Sequence, residues 1–195
     1  MDIVRARKSD ARIISEIHQK MIPKGFLSTL GTGFLARLYR EIICSDNSFC
    51  FIAIDRGRIV GFACATKNTR ALYRNFFKKN FLLLALLTIK KLFIFSNLMK
   101  IIDHAKYNSK KGNLPKAELL SIAILPNYKR KKIGRKLCEE INKEFLKSKI
   151  KEYIAVTAGD NPESNPFFLN IGYKKITGIR IHNDRESNIY LLRIK

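Results

Sequence analysis

Acidic residues are scarce in this chain. Sixteen Asp and Glu face thirty-eight Lys and Arg, for a formal net charge of +22. Such a field favours acidic partners: a nucleotide-linked substrate, anionic lipid or nucleic acid. Against this stands a bland reading, a lysine-rich background, because lysine is also spread over the amphipathic segments. Cys-x-x-Cys spacing is missing too. Cys44, Cys50, Cys64 and Cys138 lie singly in apolar surroundings, which argues against a zinc site or a disulfide framework and predicts reduced thiols in a cytoplasmic protein. No Cys, His and Asp cluster suggests a metal. No apolar run reaches the roughly eighteen residues of a membrane span, and the opening MDIVRARKSDARII lacks the apolar core of a secretory signal. An RRM or helix-turn-helix signature is also lacking, which disfavours nucleic acid as a partner. The 195 residues are expected to form one domain, spanning 1–195, with a proper core.

What is present is concentrated between Ala117 and Phe145. Leu119, Leu120, Ile122, Ala123, Ile124 and Leu125 read as a strand covered on both faces, stopped by Pro126 and Asn127. From Ile133 the apolar residues step by four through Leu137, Ile141 and Phe145, one face of a helix. Between strand and helix lie Lys129, Arg130, Lys131, Lys132, Gly134, Arg135 and Lys136. Free N–H groups at a helix start, the positive end of its dipole and a cluster of cations suit a phosphate or pyrophosphate.

Around this core the pattern reads as follows. Ile3–Ala6 is a strand. Ser9 caps a helix to about Met21, with Ile13, Ile14 and Ile17 inward. After a loop from Pro23 to Gly33, a second helix turns Phe34, Leu35, Leu38, Ile42 and Ile43 inward. Ser48–Ile54 and Ile59–Ala65 form a hairpin across Asp55-Arg56-Gly57-Arg58. Further strands are expected at Tyr153–Thr157, Tyr173–Ile181 and Asn188–Ile194.

The strand, the proline and Lys129-Arg130-Lys131-Lys132-Ile133-Gly134 resemble the GNAT superfamily of acyl-CoA-dependent N-acyltransferases, whose pattern is Arg/Gln-x-x-Gly-x-Gly/Ala opening a helix. Lys129 stands where Arg or Gln is usual, and Lys132 where the first glycine is usual. A side chain at 132 is tolerable with φ below zero or when it points away from the ligand. Asn161 through Phe167, Phe168, Gly172 and Tyr173 resembles the family's Asn-x-x-Ala-x-x-Phe-Tyr-x-x-x-Gly-Phe segment. Asn161 or Asn165 would cap its helix and Gly172 would end it in the left-handed region. Many relatives place a thiolate-protonating tyrosine where this chain has Phe168, so that role would pass to water or another group.

The resemblance covers most of the chain. It implies an α+β (mixed α/β) three-layer fold: a central mixed, mostly antiparallel sheet flanked by helices, with a helical insertion at about 67–116. It implies direct attack of an amine on the thioester of acetyl-CoA, with no metal. The oxyanion would meet main-chain N–H groups near Ile122, Ala123 and Ile124. The cofactor would lie against those residues, Lys129, Arg130, Lys131, Lys132, Ile133, Gly134, Arg135, Asn161 and Phe168. Glu118 is the preferred base or water-positioning group, set against a surface glutamate at a strand edge; His104 and His182 are other titratable candidates. Phe26 and Leu27, and His104 from the insertion, would face the acceptor. The acceptor is an amine, small or carrier-linked, a nucleotide-linked amino sugar being one fit. The rival is a non-catalytic CoA-binding or membrane-surface scaffold, motivated by Phe168 and Lys132.

The insertion carries twelve cations and one acid, Asp103, half the net charge. Its centre, from Phe81 to Leu87, is apolar all round a helix, so more than one side must be covered. A lid over the acceptor, a homodimer interface and a peripheral membrane contact are the three readings.

Overall fold

The computed structural model describes residues 1–80, 114–182 and 185–194. Seven strands form one sheet: β1 (Asp2–Arg5), β2 (Ser48–Asp55), β3 (Arg58–Thr66), β4 (Glu118–Ile124), β5 (Glu152–Ala158), β6 (Lys174–His182) and β7 (Arg185–Arg193), in the order β1-β2-β3-β4-β5-β7-β6. Only β4 and β5 run parallel; the other neighbours are antiparallel. Among the described residues the helices are α1 (Ala11–Met21), α2 (Thr32–Cys44), α3 (Thr69–Lys79), α4 (Ile133–Lys147) and α5 (Ser164–Asn170). This is the expected three-layer α+β fold.

Each face of the sheet carries its own core. On one face, α4 lays Ile133, Leu137, Ile141 and Phe145, all at most 1% exposed, against β2, β3 and β5. This is the four-residue step read from the sequence, made physical. On the other face, α1, α2 and α3 bury Ile14, Ile17, Leu35, Leu38, Ile42, Leu72 and Phe76 against Ile52, Phe62 and Ala123. α3 is the start of the 67–116 insertion. Its Phe76 ring meets Phe34 edge-on at 5.2 Å, so this part of the insertion belongs to the core. The remainder, 81–113, lies outside the described residues, and with it His104; the side chain of His182 does too.

Several local expectations need correction. Ser9 does not cap α1; a 3-10 turn over Lys8–Asp10 precedes the helix, and Asp10 accepts from the Arg7 N–H at 2.7 Å. Ile13 is 44% exposed, because the buried stripe runs Ala11, Ile14, Ser15, Ile17 and His18, and Ile13 falls outside it. The loop after α1 contains a 3-10 turn over Phe26–Leu30. The four thiols are not all separate. The β2–β3 register sets Cys50 directly opposite Cys64, Cα atoms 4.1 Å apart, and their sulfurs are in bonding contact. Register is a non-local property, and a spacing of fourteen residues gives no hint of it. The thiols therefore no longer argue for a reducing compartment.

Phe145 sits at the centre of the α4-side core, its ring 5.0 Å from Phe49 and 4.5 Å from Tyr153, with no exposure. Phe145→Ala is expected to lower the unfolding free energy by about 3–5 kcal/mol, read from urea denaturation at neutral pH. A loss under about 1 kcal/mol would show that this face is not the main core.

Candidate active site

The site begins with a defect in the ladder. Between Cys64↔Ser121 and Ala65↔Leu119, β4 advances two residues while β3 advances one, so Leu120 is the extra residue of a bulge. The side-chain alternation slips there. Leu119, Ile122 and Ile124 pack toward α4, whereas Leu120 and Ala123 pack toward α1 and α2. On its other edge β4 pairs with β5 only at Glu118↔Ile154 and Leu119↔Ala155. Beyond that point β5 runs on with β7 as far as Ala158↔Ser187, and β4 continues to Ile124 without it. The two strands part, and the main chain of 120–124 faces a gap.

At the end of β4, Pro126–Tyr128 makes a 3-10 turn and the chain enters the basic loop. Arg130 (φ 63°) and Lys132 (φ 60°) are both left-handed. Left-handed residues alternating with an ordinary one turn successive N–H groups toward a common side, a nest for an anion. Lys132 is the N-cap of α4, yet no side chain caps that helix, and its first turn carries no acid. Arg130, Lys131, Lys132 and Arg135 are exposed there. Lys129 instead forms an ion pair with Glu163 at 2.6 Å, tying the loop to the start of α5. Of the two conditions set for a side chain at 132, negative φ is not met.

The wall opposite is α5. Asn161 accepts from the N–H groups of Glu163 and Ser164 at 3.1 and 2.9 Å, fixing the approach to that helix, and Gly172 leaves it at φ 98°. Asn165 locks α5 to the sheet: its amide N–H donates to the Ala158, Gly159 and Asn161 carbonyls, and its oxygen accepts from Asn188 and Tyr190. Phe168 is 4% exposed, its ring 5.1 Å from Tyr173 and 5.5 Å from Tyr190; it is a core residue. The neighbour, Phe167, is the one over α4. A Cβ at Gly134 would lie 3.0 Å from the Phe167 ring and 3.8 Å from Ile122. Gly134 thus permits a close approach between α4, α5 and β4. Sequence reading missed Phe167.

On the face toward α1, α2 and α3, polar groups are buried together. Glu118 is 6% exposed, which overturns the surface-edge reading. Its Oε2 accepts from the Thr69 hydroxyl at 2.7 Å. Burial, then the charge of Glu118, pushes the Tyr73 phenol up. Burial also raises Tyr39, whose hydroxyl is hydrogen-bonded to Ser121 and lies 2.5 Å from His18 Nδ1. His18 is 2% exposed and held neutral by burial, its pKa lowered from 6.5 to about 4; its Nε2 has no protein partner. Phe26 and Leu27 are half-buried on this same face. Thr69, Tyr73, Tyr39, Ser121 and His18 come from α1, α2, α3 and β4, so no sequence spacing grouped them with Glu118.

A basic recess of about 320 Å³, lined by Arg37, Arg40, Glu41, Lys79 and Asn80, takes nothing from β4, β5 or α4. Among the described residues no group of His, Cys, Asp and Glu could hold a metal, and no helix is long and apolar enough to cross a membrane.

Parted parallel strands beside an uncapped, cation-rich helix start form a cleft with an anion-binding end. Residues 26–173 match the profile of the acetyltransferase (GNAT) family. The chain belongs to that family and is an N-acetyltransferase. It is similar in structure to an aminoglycoside 6'-N-acetyltransferase complexed with coenzyme A (TM-score 0.66, 13% identity, covering 100% of this chain and 98% of the other). It is also similar to the ribosomal-protein-S18-alanine N-acetyltransferase of Escherichia coli (0.62, 14%, 100% and 94%). A third is an acetyltransferase of the GNAT family from Streptococcus pneumoniae (0.61, 15%, 100% and 99%). No curated protein matches the chain in sequence.

The depressed His18 value makes a pH prediction. The folded pKa lies below the unfolded 6.5, so the unfolded chain binds the proton first as pH falls. The stability from this site is complete above about pH 6.5 and lost toward about pH 4, with a slope approaching about 1.4 kcal/mol per pH unit. Urea midpoints between those limits should therefore fall more steeply for the wild type than for His18→Phe. Parallel curves would mean that His18 is not held neutral.

Proposed function

We propose that this protein moves the acetyl group of acetyl-CoA to a primary amine of a small or carrier-linked acceptor. The observation that carries the reading is the parting of β4 and β5 beside the uncapped, cation-rich start of α4. A diphosphate fits the N–H groups and cations of residues 129–135. A pantetheine arm would then lie along the open edge of β4, between Ile122 and Phe167. Its thioester oxygen would meet the main-chain N–H groups of 122–124, where charge develops in the transition state.

The chemistry asked of the protein is modest. The neutral amine attacks the thioester carbon, a C–N bond forms and the C–S bond breaks. Holding the two reactants together supplies most of the acceleration. The amine proton passes to the Glu118 carboxylate, directly or through water. Phe168 has no proton to give, and the Tyr190 hydroxyl already donates to Asn165, so the thiolate takes its proton from water. Phe26 and Leu27 line the acceptor side. A nucleotide-linked amino sugar fits the positive field of the chain. A cytoplasmic site of action follows from the cofactor rather than from the thiols.

Two measurements test this. Calorimetry with CoA should show that replacing Lys129, Arg130 and Lys131 together with Ala weakens binding by at least about tenfold; unchanged affinity refutes the cofactor site. Thiol release from acetyl-CoA across a panel of amines and amino-sugar nucleotides should find an acceptor, and Glu118→Gln should then lower kcat by about 10²–10⁴-fold with CoA affinity kept. Tight CoA binding without thiol release on the whole panel would favour the non-catalytic scaffold.

A further inference from the structure

The insertion begins beside the candidate base. Resting on the acetyl-transfer reading above, we propose that Thr69 is a positioning residue for Glu118, so that the first helix of the insertion sets the geometry of the proton-accepting carboxylate. Thr69 is 2% exposed and Glu118 6%, and the hydroxyl donates to Oε2 at 2.7 Å. A buried carboxylate is tolerated only where donors replace water, and a hydroxyl hydrogen bond to an ionised acceptor is among the stronger replacements.

Thr69 is itself held from several sides. It is the first residue of α3, and the preceding Asn68 side chain caps that helix by accepting from the Ala71 N–H at 3.1 Å. The Thr69 N–H donates to the Lys116 carbonyl at 3.2 Å, joining the two ends of the insertion. Leu72 and Phe76, one and two turns on, are buried in the α2-side core. The hydroxyl is therefore delivered by a fixed backbone, as a positioning group requires. Glu118 meets the first turn of an eleven-residue helix that carries no acid of its own. Tyr73, one turn along, feels the Glu118 charge. The contact on the carboxylate from this helix is the Thr69 hydroxyl.

The consequence concerns the role of the insertion. A lid, a dimer contact or a membrane contact would act on the acceptor or on location. A hydroxyl on Glu118 acts on the chemical step. Changes to α3 should then appear in kcat before they appear in either binding constant.

The test compares Thr69→Val, which removes the hydroxyl at nearly constant shape, with Thr69→Ser, which keeps it. Thr69→Ala replaces the valine variant if that one fails to fold. With the best acceptor of the amine panel, Thr69→Val is expected to lower kcat about ten- to hundredfold. The acetyl-CoA Kd and acceptor KM should stay within about twofold. Thr69→Ser should restore kcat. In a Glu118→Gln background the valine change should have no further effect on kcat, a result that a merely structural threonine would not produce. Unchanged kcat in Thr69→Val, equal losses in both variants, or additive losses with Glu118→Gln would overturn the assignment and leave the transferase reading standing. Wild-type protein that binds acetyl-CoA yet releases no thiol with any amine would remove that reading and Thr69's role with it.

Discussion

The separation of β4 from β5 is the constraint from which the rest follows. Among the described residues β4 and β5 pair at just two positions, Glu118↔Ile154 and Leu119↔Ala155, extended by the Ile154 N–H donating to the Ala117 carbonyl at 3.1 Å. The bulge at Leu120 falls just past the last β4–β5 pair, while β7 claims the far edge of β5. Main-chain groups left on an open strand edge need a partner. An extended ligand with amide groups of its own can supply one, and the gap is where it would lie. Extended pairing between β4 and β5 would close the sheet and remove the site, however well the rest of the chain packed.

The two faces of the parted strand differ in kind. Toward α4 the lining is apolar, Ile122 and Phe167, with cations at one end where the helix begins. Toward α1, α2 and α3 polar groups are buried in sequence, from Thr69 and Glu118 past Tyr73 to Tyr39, Ser121 and His18. Burying so many polar atoms is unfavourable unless each finds a partner. The bulge makes the arrangement possible. By slipping the alternation, it lets Glu118, Leu120 and Ser121 all serve the helix-covered face, which a regular strand would not allow.

Legibility divides along the same line. What depends on local order could be read directly: the four-residue step of α4, the hairpin around Arg56-Gly57, the left-handed exit at Gly172, and the cation-rich loop before a helix. What depends on register could not. Cys50 and Cys64 meet only because β2 and β3 align so. Ile13 looks as apolar as Ile14 but lies outside the buried stripe. Phe167 and Phe168 are adjacent and alike; which one covers α4 is decided by how Asn165 pins the helix to β5 and β7. The buried polar groups are drawn from α1, α2, α3 and β4, spread from His18 to Ser121, and no short pattern could have grouped them.

Lys132 shows what the family pattern gives up here. A left-handed lysine costs roughly 1–2 kcal/mol relative to a glycine that adopts the region freely. Its exposed ammonium does little to offset that cost in water. The balance changes only when an anion with several charges sits among Arg130, Lys131 and Arg135, because each cation then acts on the same diphosphate and the exposed N–H groups of α4 are satisfied together. The strain is thus kept where a ligand would repay it, and strained backbone tends to be retained for such a reason. Glycine would relax the loop and leave one charge fewer at the start of α4.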